Sequence, residues 1–298
     1  MEQRVKRFYQ YLKKNKQMKE NTLLSYQRDL TAFLEFCRLK GTCEISLIGE
    51  EFPQYLSHLE ELGRSPATRS RVIASLRSFF RYLVMKKLIS EDPTAGKKYE
   101  KKSPNTLKNE ALLTTEEVDR LILCSKTEDI KGYRDTAMLE TLYATGLKVG
   151  EFLNLRIDDV HLKEGYLTVE EDGHIRYVPL YRGALSAIRM YLKQSRKHLI
   201  LSRTNDYLFV NLKGEPLSRQ GLWKFLKEYG KKANITKEIT PHLIRKSMAL
   251  HLMENGADIE MVQELLGHKN IALTKSYVKD FKPRIVSDYR KFHPKAAD

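Results

Sequence analysis

The sequence has few cysteines and no long apolar segment. Its three cysteines, Cys37, Cys43 and Cys124, form no CxxC pair, and their odd number argues against a disulfide framework or a thiolate metal cluster. No stretch approaches the roughly 18 apolar residues that cross a bilayer, and the charged N-terminus lacks the apolar segment of a signal peptide. These absences predict a cytoplasmic protein without a membrane partner, and they indicate no metal site.

Basic residues clearly outnumber acidic ones. The 298 residues include 53 lysines and arginines and 38 aspartates and glutamates, which gives a net charge of +15. Basic side chains that neutralise phosphates release counterions, so this excess favours a polyanionic partner, although RNA and anionic membranes attract the same surface. Residues 1–108 carry 22 basic and 12 acidic side chains, a net charge of +10, so the N-terminal part is the more strongly basic one.

The N-terminal third has the apolar spacing of a helical bundle. Apolar residues recur at helical spacing after Asn21-Thr22, and a second helix fits residues 50–62. A third helix begins at Ser65-Pro66, where serine suits the N-cap and proline the first turn. Phe79-Phe80 continues the apolar stripe of this helix, which favours a core position over base stacking. Residues 1–100 are therefore predicted to form a helical domain.

A basic segment with almost no large apolar side chains follows this domain. We interpret residues 101–111 as an interdomain linker, in which Lys101 and Lys102 are candidate contacts to a phosphate backbone; a solvated spacer is the alternative. Four polar residues at the start of the third helix are further candidates for contacts to DNA phosphates, because helix N-termini favour anions. They are Arg64, Thr68, Arg69 and Arg71, which could also be solvated surface groups.

The remaining chain, residues 112–298, combines helices with one β signal. Residues 166–169 and 175–178 flank Asp172-Gly173, a favoured two-residue hairpin turn. Further helices are predicted at about 132–144, 148–155, 183–200, 218–233, 242–255 and 258–266. The fold class that these patterns predict is mainly α with a small β-hairpin (α+β).

The residues with the most informative chemistry lie near the C-terminus. His242 and Arg245 are three apart near a helix start, so their side chains share one face. A guanidinium can grip a phosphate through two donors, and an imidazole can donate a hydrogen bond or shuttle a proton. His268 follows Gly267, which suits a helix C-cap. Tyr277 comes ten residues after Gly267, and its phenol is a workable nucleophile where cations stabilise the developing charge.

This ordered series resembles the tyrosine recombinases, closest to their Xer-type and phage-integrase branch. The His-x-x-Arg motif, the Leu-Gly-His motif and the tyrosine follow in the family's order. Residues 144–151 resemble the first catalytic-arginine motif, residues 178–180 the segment after the catalytic hairpin, and residues 22–36 the helical core-binding domain. The resemblance implies an N-terminal helical, SAM-like core-binding domain and a C-terminal catalytic domain over residues 112–298.

The resemblance also implies a function, which is site-specific recombination of double-stranded DNA through a 3′-phosphotyrosyl intermediate. Tyr277 is the implied nucleophile, Arg245 holds the nonbridging oxygens, and His242 and His268 hydrogen-bond the phosphate or handle protons. The covalent link conserves energy, so neither ATP nor another cofactor is implied. The expected assembly is a tetramer on synapsed DNA, built from this chain alone or together with a related recombinase.

Two departures from the family pattern concern the catalytic cations. Lys148 stands where the family has arginine, and lysine lacks the planar two-donor fork. The hairpin has no lysine to protonate the leaving 5′-oxygen, and its tip is acidic; His174 is the candidate substitute. Two alternatives therefore stay open beside an active recombinase. One is a catalytically impaired DNA-binding relative with an architectural or regulatory role, and the other is a type IB topoisomerase-like enzyme.

Tyr289 is a rival nucleophile to Tyr277. We interpret its side chain as packing for the C-terminal tail.

Overall fold

The computed structural model describes residues 2–15, 18, 20–95, 112–171, 173–200, 205–268, 270, 271 and 274. The chain divides into two compact units, residues 1–110 and residues 111–298. The predicted linker with Lys101 and Lys102 lies outside the described residues, and so do Tyr277 and Tyr289. Within the described ranges, no helix has the length and apolar character needed to span a membrane.

Helices make up the N-terminal unit. They are α1 (Glu2–Asn15), α2 (Glu20–Leu39), α3 (Phe52–Glu61) and α4 (Pro66–Met85). Helix α4 begins where the sequence predicts, because the Oγ of Ser65 accepts a hydrogen bond from the backbone N–H of Thr68 at 3.2 Å. Pro66 then takes the first helical position, where its missing N–H removes no intrahelical hydrogen bond.

Aromatic side chains fill the core of this unit. The rings of Phe33 and Phe52 each meet Phe80 edge to face, with centroids 5.9 and 5.7 Å apart. Phe79 is also fully buried and meets Phe8 edge to face at 5.1 Å. The prediction that Phe79-Phe80 belongs to the core is therefore confirmed.

The second unit surrounds a central helix with further helices and a small sheet. Its helices are α5 (Thr115–Leu123), α6 (Ile130–Thr145), α7 (Val149–Asn154), α8 (Arg182–Met190), α9 (Lys197–Leu199), α10 (Arg219–Lys232), α11 (Pro241–Glu254) and α12 (Ile259–Leu266). A π-helical segment, Tyr191–Arg196, joins α8 to α9. Helix α6 is buried along much of its length and packs against α8, the π-helical segment and α11.

Three antiparallel strands form the described sheet. They are β1 (Val160–His161), β2 (Tyr166–Glu171) and β3 (His174–Pro179), in the order β1-β2-β3. Glu171 pairs with His174, which leaves a two-residue turn, and Gly173 has the positive φ of 78° that such a turn requires. The predicted hairpin is confirmed, and so is the mainly α fold class. Strand β1 was not predicted, because two residues are too few to show alternation.

Glycines end the two helices that lead to the candidate site. Gly146 follows α6 with a φ of 55°, and Gly267 follows α12 with a φ of 62°. Both lie in the left-handed region, which glycine enters without a Cβ penalty, so each helix stops at a defined residue. The chain turns sharply after each glycine, towards Lys148 in one case and His268 in the other.

Candidate active site

Helix α11 brings His242 and Arg245 into its first turns. The Oγ1 of Thr240 caps the helix by accepting the backbone N–H of Leu243 at 3.0 Å, and Pro241 takes the first helical position. The two residues predicted to share a helix face therefore lie on consecutive turns. The side chain of His242 is exposed, whereas Arg245 is only 3 % exposed.

Arg245 connects the C-terminal ends of α6 and α12. Its Nη1 donates a hydrogen bond to the carbonyl oxygen of Gly146 at 2.5 Å, and its Nη2 donates to that of Leu266 at 2.8 Å. A cation is favoured there, because the carbonyls at a helix C-terminus carry partial negative charge. Each of these carbonyls lies two residues before a predicted site residue, Lys148 or His268. One guanidinium thus holds the two turns that carry them.

His268 lies buried among basic groups. Its Nδ1 is 2.8 Å from the Oγ1 of Thr274, which is itself fully buried. Burial, together with nearby positive charges that act in the same direction, lowers the pKa of His268 to about 4. Those charges belong to Arg245, Lys148, Arg176 and His242. The structure therefore brings four of the predicted site residues together, with His268 neutral at pH 7.

Lys148 lies between two carboxylates. It is the N-cap residue of α7, and its backbone N–H donates to the Oε2 of Glu151 at 2.7 Å. Its Nζ is 3.4 Å from the Oε1 of Glu151 and 2.5 Å from the Oε2 of Glu171. The lysine that replaces the family's arginine is therefore at the site, but it is paired with carboxylates there.

Arg176 is a site cation that the sequence patterns did not predict. Its Nη2 and Nη1 lie 3.2 and 3.4 Å from the two carboxylate oxygens of Glu151. It also packs closely against Gly267, since a Cβ on that glycine would collide with its Nη1. Strand alternation was the available signal, because Arg176 shares a hairpin face with the buried Val178.

His174 has a different environment from the buried cluster. It is exposed, at the start of β3, and its partner across the hairpin is Glu171. It is therefore two residues nearer the turn than Arg176, on the same strand. The structure places it beside the acidic end of the hairpin, on the same face as Arg176.

The four N-terminal candidates lie together at the start of α4. Arg64 is exposed, and the Oγ1 of Thr68 is 2.9 Å from the Oγ of Ser65. Arg69 forms an ion pair with Glu60 of α3. Arg71 pairs with the buried Asp29 of α2 at 2.5 Å, and Asp29 also accepts a hydrogen bond from Ser75 at 3.0 Å. Arg71 thus helps to hold α2 against α4, whatever else it contacts.

Two family models match the chain. The phage integrase family matches residues 111–284, and the N-terminal SAM-like domain of phage integrases matches residues 5–87. Tyrosine recombinase XerD of Staphylococcus epidermidis is 38% identical, over 98% of this chain and 99% of its own. XerD of Halalkalibacterium halodurans is also 38% identical, over 98% of both chains.

A solved structure shows the same fold. The XerH site-specific recombinase, bound to its palindromic difH substrate in a post-cleavage complex, superposes with a TM-score of 0.69. It is 22% identical, and the alignment covers 96% of this chain and 94% of XerH. With its family matches, its relatives and its mainly α architecture, the chain belongs to the phage integrase family of tyrosine recombinases.

Proposed function

We propose that this chain performs site-specific DNA recombination, with Tyr277 as the nucleophile. The phenol gives up its proton to a neighbouring histidine as its oxygen attacks a backbone phosphorus, the bond from phosphorus to the 5′-oxygen breaks, and a 3′-phosphotyrosyl link forms. The 5′-oxygen leaves as a hydroxyl after it takes up a proton. A 5′-hydroxyl from another strand then attacks the link, restores the phosphodiester and returns the tyrosine.

The observation that carries the proposal is the convergence of basic groups beside the segment that leads to Tyr277. Arg245 holds the turns of Lys148 and His268, and His268 contacts the buried Thr274. Tyr277 is only three residues beyond Thr274. Three residues of extended chain span at most roughly 11 Å, which is the reach that the proposal requires between Thr274 and the tyrosine.

The charges of the cluster suit the transition state of cleavage, in which the phosphate gains negative charge. Arg245 and Lys148 stabilise the nonbridging oxygens, where negative charge develops during the attack. His268, which burial and its basic neighbours keep neutral at pH 7, acts as a hydrogen-bond donor, and exposed His242 donates from the side of α11. The hairpin offers His174 as the proton donor for the 5′-oxygen, because no lysine is present between Tyr166 and Pro179.

The partner is double-stranded DNA, and recombination requires two duplexes. We infer a tetramer on synapsed DNA, formed by this chain alone or with a related recombinase, acting in the cytoplasm. In the N-terminal unit, Arg64, Thr68, Arg69 and Arg71 contact the DNA backbone from the start of α4. Lys101 and Lys102 in the predicted linker follow the same backbone.

A nicked suicide duplex tests this function. After cleavage the short fragment that carries the new 5′-hydroxyl diffuses away, so the covalent protein–DNA adduct accumulates and is visible on a denaturing gel. We expect an adduct with the natural chain, none with Tyr277→Phe, and an undiminished adduct with the matched control Tyr289→Phe. DNA that is retarded on a native gel without any adduct would favour the architectural alternative. Strand exchange between two labelled duplexes separates a recombinase from a topoisomerase-like enzyme.

A further inference from the structure

The hairpin places a carboxylate directly on the lysine of the site. The Oε2 of Glu171 lies 2.5 Å from the Nζ of Lys148, a contact between residues on β2 and at the start of α7. The side chain of Glu171 is 28 % exposed and that of Lys148 is 38 % exposed, so the pair is partly shielded from water and salt. The ammonium that is proposed to bind a phosphate therefore already has an anionic partner.

The two carboxylates around Lys148 differ in how firmly they are held. Glu151 accepts the backbone N–H of Lys148 at 2.7 Å and binds both terminal nitrogens of Arg176, and its side chain is only 8 % exposed. Releasing Glu151 would leave the guanidinium of Arg176, whose side chain is only 13 % exposed, without this partner, which is costly. Glu171 is more exposed and ends its strand at the hairpin turn, so it is the carboxylate that can be exchanged.

We propose that Glu171 occupies, in the DNA-free chain, the place on Lys148 that a nonbridging phosphate oxygen takes in the DNA complex. The inference rests on the proposed function, since it concerns the phosphate of that same site. Carboxylate and phosphate oxygens are equivalent acceptors for an ammonium group, so binding proceeds by exchange of one anion for the other. Glu151 and Arg176 keep Lys148 in position while its Nζ changes partner.

Because the two anions occupy the same place, Glu171 competes with the DNA phosphate for Lys148. DNA that reaches the site must displace the carboxylate, and the displaced charge stays near the phosphate and repels it. Both effects weaken binding and slow cleavage relative to a chain without this carboxylate. Glu171 thereby sets how strongly Lys148 holds the scissile phosphate.

The neighbouring residue provides a matched control. Glu170 carries the same charge on the same strand, but it is exposed and faces the opposite side of the sheet, opposite Ile175. Glu170→Gln and Glu171→Gln remove the same charge from almost the same position. Only the second change removes a carboxylate that contacts Lys148, so the difference in DNA affinity between the two variants measures the proposed exchange of anions and not the general charge of the hairpin.

The test is a double-mutant cycle on DNA affinity, measured by fluorescence anisotropy in full-length Tyr277→Phe protein so that no covalent capture occurs. We expect Glu171→Gln to tighten binding about 2- to 5-fold, the value of a partly exposed ion pair, and Glu170→Gln to change it little. In a Lys148→Gln background, Glu171→Gln should give no gain. With Tyr277 intact, Glu171→Gln should raise the rate of adduct formation by a similar factor.

Two results would overturn the proposal that Glu171 and the phosphate replace each other on Lys148. One is an equal gain from both hairpin variants, and the other is a Glu171→Gln gain that persists without Lys148, because both point to long-range repulsion alone. If Glu171→Gln fails to fold, Glu171→Asp replaces it, and its shorter side chain should give a smaller gain that also depends on Lys148. Absence of adduct from every variant with Tyr277 intact would refute the proposed function, whereas the binding cycle would still report on the exchange.

Discussion

Individual side chains at the site derive their properties from their neighbours. Lys148 keeps the positive charge of the family's arginine, but Glu151 and Glu171 neutralise part of it. His268 loses its proton more readily than a free histidine, because it is buried beside four basic groups. Neither effect follows from residue type alone, and each makes a measurable difference.

The lowered pKa of His268 makes stability depend on pH. Its pKa is about 4 in the folded chain, against an ordinary value near 6.5, so between these pH values the unfolded chain binds a proton that the folded chain does not. Stability should therefore fall as the pH is lowered from about 6.5 to about 4, by on the order of 2–3 kcal/mol in total.

Urea unfolding at several pH values, with the histidine titration followed by NMR, measures this effect. His268→Gln should remove this part of the pH dependence, whereas the exposed His198→Gln should retain it. A titration of His268 near pH 6.5 in the folded chain would contradict the burial and charge described for its ring.

Lys148→Arg tests whether the lysine limits the rate. Arginine restores the planar fork that can bind two phosphate oxygens at once. Loss of a transition-state donor costs roughly 10²–10³ in rate, and lysine retains the charge, so we expect the arginine variant to form adduct about tenfold faster. The exposed Lys163→Arg is the control and should be neutral. An unchanged or slower rate in folded Lys148→Arg protein would show that the lysine is not the limitation.

Helices and turns position these side chains, and the sequence predicts the local part of that positioning well. Ser65-Pro66, Asp172-Gly173 and Gly267 mark a helix start, a turn and a helix end through interactions within a few residues. The pairs Lys148–Glu171 and Glu151–Arg176 join residues 23 and 25 positions apart. They depend on strand register and on how α7 packs against the sheet, so no local pattern could reveal them.

Gly146 forms a turn that has little room for a side chain. It has a φ of 55°, and a Cβ there would collide with the Cε of Met248 and lie 3.1 Å from Leu266 and 3.6 Å from Arg245. Gly256 also has a positive φ, 96°, but a Cβ there meets nothing within 4 Å. Both alanine variants should lose about 1 kcal/mol for the backbone, and Gly146→Ala about 1–3 kcal/mol more for overpacking.

Urea unfolding compares the two alanine variants. Gly146→Ala should also lose adduct formation while it still binds DNA, because the carbonyl of Gly146 holds Arg245. Equal stability of the two variants would mean that the packing around Gly146 is looser than the described contacts indicate.

At the scale of the whole molecule, the order of the motifs along the chain is enough to predict the family. The match extends through both units, from the SAM-like region to the catalytic region, and the mainly α fold agrees with it. The linker over residues 101–111 stays a prediction, because it lies outside the described residues. The position of Tyr277 in space also stays a prediction. The motif order puts this tyrosine after the Leu-Gly-His turn along the chain, but no local pattern can locate it in three dimensions.

The most direct test of the central claim is to identify the residue that is linked to DNA. The adduct from the suicide duplex is digested with trypsin and nuclease, and the modified peptide is sequenced by mass spectrometry. Lysines and arginines between Tyr277 and Tyr289 place the two tyrosines on different tryptic peptides. We expect a nucleotide phosphate on Tyr277. A phosphate on Tyr289 or on any other residue, or no covalent adduct at all, would contradict Tyr277 as the nucleophile.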